Sequence, residues 1–388
     1  MEHQSHIVTG KGFRFPIGKI ISYVVFITWV AITVLPLIWM AYSSFKSNEE
    51  LNLDTFSFPY ALFDNANDEY IVIGTIEGYD KAKRQPIYDP PSLINVIPDY
   101  DVEADPRPRL IIESATIGWS RRLMVYFLPK EELSPEIANL KPLDSVWVNQ
   151  LPGHIQGQIN WLTIWYNYIQ AFNRANLGLK FLNSVIYSTI SSVMIVLFGL
   201  MMGFALSKLK FKRLSGAIGA TVGFGYLLST NSIIIPLYLM LSSVGLTDNH
   251  FGVIIVYVAF GMPVSTMLST QFIRGLPDSL IESAFIDGAS TMRTFIQIIF
   301  PMSMPVATTI LILNILGIWN EFLLVLVVAS SEATKSLPVG VYSFSGLTST
   351  QLGWQLAAMV MALLPPMIFY FIFNKRIAQG VVGGAIKG

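Results

Sequence analysis

Six apolar runs, each about as long as a membrane-crossing helix, constrain this chain more than any other feature of its sequence. A bilayer core about 30 Å thick needs about 20 consecutive apolar residues in a helix. Charged residues make up only 13% of the chain, well below the share found in soluble domains. The runs predict transmembrane helices at residues 17–42, 182–206, 216–242, 253–273, 306–329 and 354–373. We therefore expect an all-α polytopic membrane protein with six transmembrane helices.

The first run differs from a signal peptide in length and composition. A signal-peptide core has about 7–15 apolar residues and ends at a small-residue cleavage site. Residues 17–42 form a longer run that contains Trp29, Pro36 and Trp39. This run is therefore predicted to be a retained transmembrane helix.

Basic residues are unevenly distributed among the segments that join the six runs. Positively charged residues in short loops are retained on the cytoplasmic side of a membrane. They occur before and at the start of the first run, between the second and third, between the fourth and fifth, and after the sixth, at Lys11, Arg14, Lys19, Lys208, Lys210, Lys212, Arg213, Arg274, Arg293, Lys375, Arg376 and Lys387. The short loops on the other side contain only Lys335. Both termini are therefore predicted to be cytoplasmic.

The segment between the first two runs, residues 43–181, is too long and too polar for a simple loop. It contains most of the 25 acidic residues of the chain, and a connection of this length is expected to contain a folded unit. Runs rich in β-branched and aromatic residues at 70–75, 109–113 and 122–127 predict strands. Residues 99–108 predict an exposed acidic loop, and residues 161–172 predict an interfacial amphipathic helix. We expect a small β-rich domain on the outer face of the membrane, between helices 1 and 2.

A patterned segment follows the fourth run. Asp278 or Ser279 can cap a short helix, and Gly288 can end that helix in a left-handed conformation. The small side chains of Ser283 and Ala284 would let the helix fit closely into a groove of a partner protein, and Gly288 would turn the chain back toward the membrane. An ordinary amphipathic loop helix is the alternative interpretation of the same residues.

Residues 277–301 resemble the cytoplasmic loop of binding-protein-dependent ABC importer permeases. The family pattern is Glu-Ala-Ala, three residues, Gly, nine residues, Ile, any residue, Leu and Pro. The matching positions are Glu282, Ala284, Gly288, Ile298 and Pro301, whereas Ser283 and Phe300 replace an Ala and a Leu of the pattern. Shorter segments at 44–46, 183–184, 235–238, 245–246, 319–322 and 383–388 are similar to the maltose-permease second-subunit branch, which serves sugars. The segment between the first two runs departs from the family, whose usual first external loop is much shorter.

The resemblance implies the type I ABC importer permease fold, in the cytoplasmic (cell) membrane of a bacterium. It implies an ATPase-coupling role for Glu282, Ser283, Ala284, Asp287, Gly288 and Ala289. The implied partners are a second permease subunit in a heterodimer, two ATPase subunits that bind ATP and Mg²⁺, and an extracytoplasmic solute-binding protein that delivers a sugar or oligosaccharide. We expect three parts: a first helix within residues 1–45, an extracytoplasmic insert at 46–172, and a core permease domain at 173–388 with its coupling loop at 277–301.

Polar residues within the apolar runs are candidates for a substrate pathway, because such residues are costly in a membrane and often functional. Asn320 and Glu321 lie in the fifth run, and Asn314 lies two helical turns before Glu321 on nearly the same face. Asn231 in the third run is a similar candidate, with a helix break expected near Pro236. For Asn320 and Glu321, a hydrogen bond between helices or a position at the membrane boundary is the alternative interpretation.

The sequence contains no recognisable pattern for an enzyme active site. The nucleotide-binding pattern Gly-x-x-x-x-Gly-Lys-Ser/Thr is absent. The chain has no cysteine and only four histidines, which form no spaced set for a metal or for catalysis. We expect no catalytic, cofactor or metal site in this chain, and ATP hydrolysis by separate subunits.

Three other functions stay open at this point. A secondary transporter would show buried ionisable residues for ion coupling and an internal inverted repeat, and neither is evident in the sequence. The same importer machinery could serve a solute other than a sugar, such as an amino acid, a peptide or an anion. The insert at 46–172 could itself act as a membrane-anchored receptor or enzyme, although it contains no recognisable catalytic set.

Overall fold

The computed structural model describes residues 17–63, 67–95, 101–114, 125–209, 212–227, 230–345 and 351–385. Among the features above, Lys11, Arg14, Lys210, Lys387, the starts of the 99–108 and 122–127 runs and the end of the 383–388 segment lie outside the described residues. The helices are α1 (Ile17–Ser43), α2 (Asn48–Leu53), α3 (Tyr60–Phe63), α4 (Pro135–Ala138), α5 (Gly153–Arg174), α6 (Leu177–Lys208), α7 (Lys212–Leu227), α8 (Thr230–Ser243), α9 (His250–Arg274), α10 (Asp278–Ile286), α11 (Thr291–Thr294), α12 (Phe300–Met302), α13 (Met304–Asn320), α14 (Leu323–Val328), α15 (Leu337–Tyr342) and α16 (Leu352–Ala385). The strands are β1 (Glu69–Asp80), β2 (Gln85–Asp89), β3 (Arg109–Ser114), β4 (Val125–Pro129) and β5 (Ser145–Trp147).

Four helices are long and apolar enough to cross a membrane by themselves, namely α1, α6, α9 and α16. Two further candidate spans are bent pairs, formed by α7 with α8 at 105° and by residues Thr291–Met302 with α13 at 76°. The described part of the chain therefore has four continuous spans, and up to six if each bent pair counts as one span. The helices cover the six predicted apolar runs, but two of the runs are bent pairs of helices and not single continuous helices.

The third and fifth apolar runs are each divided, which differs from the sequence prediction. The predicted 216–242 helix consists of α7 and α8, and the break lies between Leu227 and Thr230 rather than near Pro236. Pro236 lies inside α8, since a membrane helix tolerates proline where neighbouring groups satisfy the freed backbone. The predicted 306–329 helix ends at Asn320, because Glu321 is extended and its carboxylate accepts a hydrogen bond from the first turn of α14 instead.

The closest packing in the helical part is between α6 and α9. Gly199 and Gly203 of α6 face Ser265 and Ser269 of α9, which are buried. A Cβ atom on Gly203 would lie 2.6 Å from the Cβ of Ser269 and 2.9 Å from its carbonyl carbon. Small residues let membrane helices approach this closely and gain van der Waals contact. A buried apolar cluster extends this contact to α13 and includes Ile195, Leu200, Phe204, Val258, Ile273, Phe295 and Ile310.

An antiparallel five-stranded sheet lies between α1 and α5 in the chain. The strand order is β2-β1-β3-β4, and β5 pairs with the start of β1. One face of the sheet packs against α5 in a buried cluster that includes Tyr70, Val72, Leu110, Ile112, Ile155 and Ile159. The other face has a smaller buried cluster of Ile76, Leu93, Val102 and Ile111. The sheet therefore has apolar cover on both faces.

The predicted strand runs 70–75 and 109–113 fall in β1 and β3, and the described end of the 122–127 run falls in β4. The short strands β2 and β5 carry no run of alternating apolar residues, so the sequence did not reveal them. Residues 161–172 form the second half of α5, whose buried side chains include Thr163, Tyr166, Asn167 and Ala171. One face of this helix packs between the sheet and α16, whereas Trp161 and Phe172 are exposed, and its position at a membrane interface stays a prediction. Val102, in the predicted exposed loop, is also buried.

The end of α1, α5 and the start of α16 are joined by side-chain amides. Asn167 of α5 donates from Nδ2 to the carbonyl oxygens of Ser44 at 2.7 Å and Lys46 at 2.6 Å. The backbone N–H of Gly353 in α16 donates to Asn48 Oδ1 at 2.9 Å. This joint places the last turn of α1 and the first turn of α16 at one level of the molecule.

We expect Gly203→Val to destabilise the protein, because a β-branched side chain at this position would overlap Ser269 of α9. Overpacking of this kind costs about 1–3 kcal/mol. The measurement is the thermal unfolding midpoint of the purified protein in detergent. Gly219→Val in α7 is the matched control, because a Cβ atom there meets nothing within 4 Å. Equal midpoints for the two variants would show that the fold does not depend on the close approach of α6 and α9.

Candidate functional site

The short helix α10 ends in a left-handed turn at Gly288, as the sequence predicts. Gly288 has φ +78°, a conformation that glycine adopts without a steric penalty. The Ala289 N–H donates to the Ala284 carbonyl at 2.9 Å, and the Gly288 N–H donates to the Phe285 carbonyl at 3.1 Å. These two bonds form a Schellman motif, which satisfies the last carbonyl groups of a helix. The end of α10 is therefore fixed by its own backbone.

The start of α10 differs from the prediction of a side-chain cap by Asp278 or Ser279. Pro277 occupies the position before the helix, and no side chain caps the first turn. Asp278 is the first helical residue, and its carboxylate bonds to Lys208 at the end of α6 instead. Ser279 contributes its carbonyl oxygen, which accepts a hydrogen bond from the Ser283 hydroxyl at 2.8 Å.

The two faces of α10 meet different surroundings. Ile281 and Ala284 are buried, and Ile281 belongs to the apolar cluster around α6 and α9. Glu282, Ser283, Asp287 and Gly288 are exposed, and Ala289 is half-buried. Ala284 packs onto its own chain, and its contribution to a partner's groove stays a prediction. Of the two small residues, only Ser283 is exposed.

Apolar side chains are exposed on α10 and on α11, which follows it. They are Leu280, Phe285, Ile286 and Met292, and we call them the α10 patch. Ile286 is the most exposed of the four, at 85%. Clusters of exposed apolar side chains of this kind mark surfaces that contact another protein or a membrane.

The chain returns from α10 through a second helical stretch. Ser290 caps α11, since its Oγ accepts from the Arg293 N–H at 3.3 Å. A π-helical turn, Phe295–Ile299, and α12 follow, and the chain bends at Ser303 before α13. Thr294, Phe295 and Ile299 are buried. The loop at 277–301 is thus a pair of short helices that pack onto the ends of α6 and α9.

Lys208 fixes α10 to the end of α6. Its ammonium lies 2.5 Å from Asp278 Oδ1 and donates to the Leu276 carbonyl at 2.7 Å. The Lys208 side chain is largely buried in this position. The sequence indicates Lys208 only as a cytoplasmic charge, because its contact with Asp278 joins residues that are 70 positions apart. No local spacing in the sequence could have revealed it.

The four predicted pathway residues do not form one group. Asn314 Nδ2 donates to the Ile310 carbonyl at 2.8 Å and lies 3.4 Å from Ser265 Oγ of α9. Glu321 Oε2 accepts from the Tyr257 hydroxyl of α9 at 2.9 Å. Asn320 is exposed and bonds to its own helix, and Asn231 is exposed on α8. Two of the four thus bond to α9, and a pathway role for the set stays a prediction.

Asp248 was not predicted from the sequence as a functional residue. It lies at the end of the molecule opposite to α10 and connects two loops there. Its Oδ1 accepts hydrogen bonds from the Ser330 N–H at 3.1 Å and the Ser331 N–H at 2.9 Å. The hydroxyl groups of Ser331 and Thr334 also donate to it. These bonds, with that from Thr334 foremost, lower the pKa of Asp248 to about 2. The carboxylate holds the loop before α9 against the loop after α14.

A cleft of about 380 Å³ opens at the same end of the molecule. Its lining residues are Arg174, Ala175, Lys180, Glu332, Ser343, Phe344, Gln351 and Trp354. Lys180 is buried and donates to Glu332 at 2.6 Å. This hydrogen bond, followed by that from Lys335, lowers the pKa of Glu332. The guanidinium of Arg174 lies 4.9 Å from the ring centroid of Trp354. The cleft thus combines charged groups with an aromatic wall.

Comparison with known proteins places much of the chain in a characterised group. Residues 169–383 match the family model described as "Binding-protein-dependent transport system inner membrane component". The match covers α6 to α16 and begins after the sheet.

Several bacterial permeases are similar to this chain. The diacetylchitobiose uptake system permease protein NgcG of Streptomyces coelicolor is 33% identical over 57% of this chain and 74% of its own length. The melibiose/raffinose/stachyose import permease protein MelC of Bacillus subtilis is 30% identical over 58% of this chain and 81% of its own length. A solved bacterial ABC transporter involved in the import of alginate has a TM-score of 0.48 and 20% identity, over 63% of this chain and 86% of that chain.

We expect Asp248→Ala to lower the thermal midpoint of the protein at neutral pH, because it leaves the Ser330 and Ser331 N–H groups without their acceptor. Loss of such charge-assisted bonds costs about 1–3 kcal/mol. Asp248→Asn keeps an acceptor oxygen and tolerates the φ of +54°, so its loss should be smaller.

The same measurement has a pH dependence. The lowered pKa means that the ionised Asp248 stabilises the folded state above its ordinary pKa of about 3.9. This contribution is lost as the pH falls through the folded value of about 2. The difference between the wild type and Asp248→Asn should therefore be constant above about pH 5 and narrow below about pH 4. A difference that grows on acidification would contradict this role.

Proposed function

Because the chain belongs to the family of binding-protein-dependent transport system inner membrane components, we propose that it is the permease subunit of an ATP-driven importer for a sugar or oligosaccharide. The observation that carries this proposal is the loop at 277–301, where α10 is closed at Gly288 and presents the α10 patch. A transport step requires an energy source, and this loop is the surface of the family through which a partner ATPase would act. ATP and Mg²⁺ would bind to that partner.

The sugar assignment is supported by the relatives. NgcG is named for diacetylchitobiose, MelC for melibiose, raffinose and stachyose, and MsmG of Streptococcus mutans for multiple sugars. MsmG is 32% identical over 54% of this chain and 76% of its own length. All three names refer to saccharides, and we propose the same class of solute for this chain.

The contacts of α10 explain how a push from an ATPase would reach the membrane helices. Ile281 packs into the cluster shared by α6 and α9, and Lys208 ties Asp278 to the end of α6. A force on the α10 patch would therefore move α6 and α9 together instead of bending the loop. Glu282 and Ser283 are exposed on α10 and Asp287 is exposed at its end, so these polar residues would supply the polar rim that is typical of protein interfaces.

The partners and the orientation follow from the same assignment. We propose a heterodimer with a second permease subunit, two ATPase subunits on the side of α10, and a solute-binding protein on the side of the sheet. The joint at Asn48 and Gly353 supports this orientation, since α1 and α16 meet at the level of the sheet and extend away from it. Both termini would then lie in the cytoplasm with α10, as the basic residues predict.

We expect Ile286→Glu to weaken ATPase docking, because a charge would replace the most exposed apolar side chain of the α10 patch. The expected loss is about tenfold in uptake, which corresponds to about 1.4 kcal/mol. The measurements are ATPase subunits that copurify with the chain and ATP-driven sugar uptake in proteoliposomes. Leu143→Glu is the matched control, since Leu143 is 84% exposed in a turn beside the sheet. Full copurification and uptake by Ile286→Glu would refute the docking assignment.

We expect Lys208→Met to leave the complex assembled but to reduce severalfold the sugar transported per ATP hydrolysed, because α10 loses its tie to α6. Asp278→Asn should have a similar effect. The double variant should be little worse than Lys208→Met alone, because both changes remove the contact between Lys208 and Asp278. Lys335→Met, which removes an ion pair at the opposite end, is the control. Additive losses in the double variant would show that the two residues act separately.

A further inference from the structure

A short segment after α1 presents large apolar side chains outward. Leu53, Phe56, Phe58 and Phe63 are all more than 70% exposed, and Phe56 is 76% exposed. They lie in residues 53–63, between the first span and the sheet, and outside the region matched by the family model. Exposed aromatic rings at this density are unfavourable in water, since burial of a Phe side chain is worth about 1.5–3 kcal/mol.

Two hydrogen bonds fix this segment beside the end of the first span. Trp39 Nε1 donates to the Thr55 carbonyl at 3.0 Å, and the Tyr42 hydroxyl donates to the Phe56 carbonyl at 3.3 Å. Aromatic rings of α1 and of the segment are also in contact. The ring centroids of Trp39 and Phe56 are 6.3 Å apart, and those of Tyr42 and Phe58 are 5.5 Å apart. Trp39 lies about 6 Å before the end of α1 at the helical rise of about 1.5 Å per residue. The segment thus folds back to the depth of the last turn of the span.

Two buried charged side chains that precede this segment bond to it from the interior of the protein. Lys46 is fully buried, and its Nζ donates to the Asp54 carbonyl at 2.9 Å, the Thr55 carbonyl at 3.1 Å and Ser57 Oγ at 3.0 Å. Glu50 accepts from the Tyr60 N–H at 2.6 Å. Asp54 and Thr55 of the segment are exposed together with its aromatic rings. A surface that combines polar groups with exposed aromatic rings fits the boundary between headgroups and acyl chains, where such rings are enriched.

We propose that residues 53–63 form an interfacial lipid anchor, which inserts Leu53, Phe56, Phe58 and Phe63 at the boundary of headgroups and acyl chains on the side of the sheet. The lipid surface is the partner because the rings continue the apolar surface of α1, none of whose spanning window is buried within the chain. Trp39 and Tyr42 are of the residue types enriched at membrane interfaces. This anchor holds the sheet at a fixed height above the bilayer, independently of the transported solute.

The absence of cysteine from the chain makes a direct test possible. Phe56→Cys and Phe58→Cys are labelled with a nitroxide in the full chain, together with the subunits that copurify with it, in vesicles of phosphatidylethanolamine and phosphatidylglycerol. Power saturation measures how often the label collides with each of two reagents. Oxygen concentrates in lipid, whereas the nickel complex of ethylenediaminediacetate stays in water. Ile32→Cys, within α1, is the lipid reference, and Lys83→Cys, in the turn after β1, is the water reference. Leu53→Cys and Phe63→Cys at the two ends of the segment replace either inner variant if it does not fold.

At all labelled positions of the segment, we expect the ratio of oxygen accessibility to nickel accessibility to be severalfold higher than at Lys83. The ratio should approach the value measured at Ile32. High nickel accessibility, equal to that of Lys83, would place the rings in water and overturn the proposal. Low accessibility to both reagents would show that another protein subunit covers the segment, and it would overturn the proposal equally.

Discussion

The close approach of α6 and α9 is the contact on which the other parts of the helical core depend. Gly199 and Gly203 allow the two helices to pack at backbone distance, so that they move as one unit. At one end of this pair Lys208 reaches α10. At the other end Asn183 of α6 donates to the carbonyl groups of Ala333 and Lys335 at 2.7 and 2.9 Å. A helix of 32 residues is about 48 Å long, so a rigid pair can connect events on the two sides of a membrane.

Charged groups satisfy the backbone where the helices are interrupted. A bilayer offers no water to an unpaired N–H or C=O group, so each break needs an internal partner. Glu321 provides one at the start of α14, where its Oε1 accepts from the Leu324 N–H at 2.8 Å. Asp248 provides another for the Ser330 and Ser331 N–H groups at the end of that helix. The two carboxylates thus hold the ends of α14 against α9 and the turn before it.

Features that depend on local chemistry were visible in the sequence. The apolar runs, the left-handed Gly288 and the strand runs at 70–75 and 109–113 were predicted, because the length of a span, the steric freedom of glycine and β-branching act within a few residues. The bend between α7 and α8 was predicted, but near Pro236 instead. The break at Glu321 was not predicted, because it depends on a bond from Tyr257 elsewhere in the chain. The packing of Ala284 onto its own chain was not predicted, for the same reason. Lys208 and Asp248 find their partners 70 and 86 positions away, a distance at which sequence spacing carries no signal.

The joint between Asn48 and Gly353 also determines when the fold can be completed. Its two partners are 305 residues apart, and a chain is synthesised and inserted from its amino-terminal end. During this interval the carbonyl groups of Ser44 and Lys46 can already meet Asn167, but Asn48 must wait for α16. A chain interrupted before α16 would thus lack the bond that connects the segment after α1 to this helix.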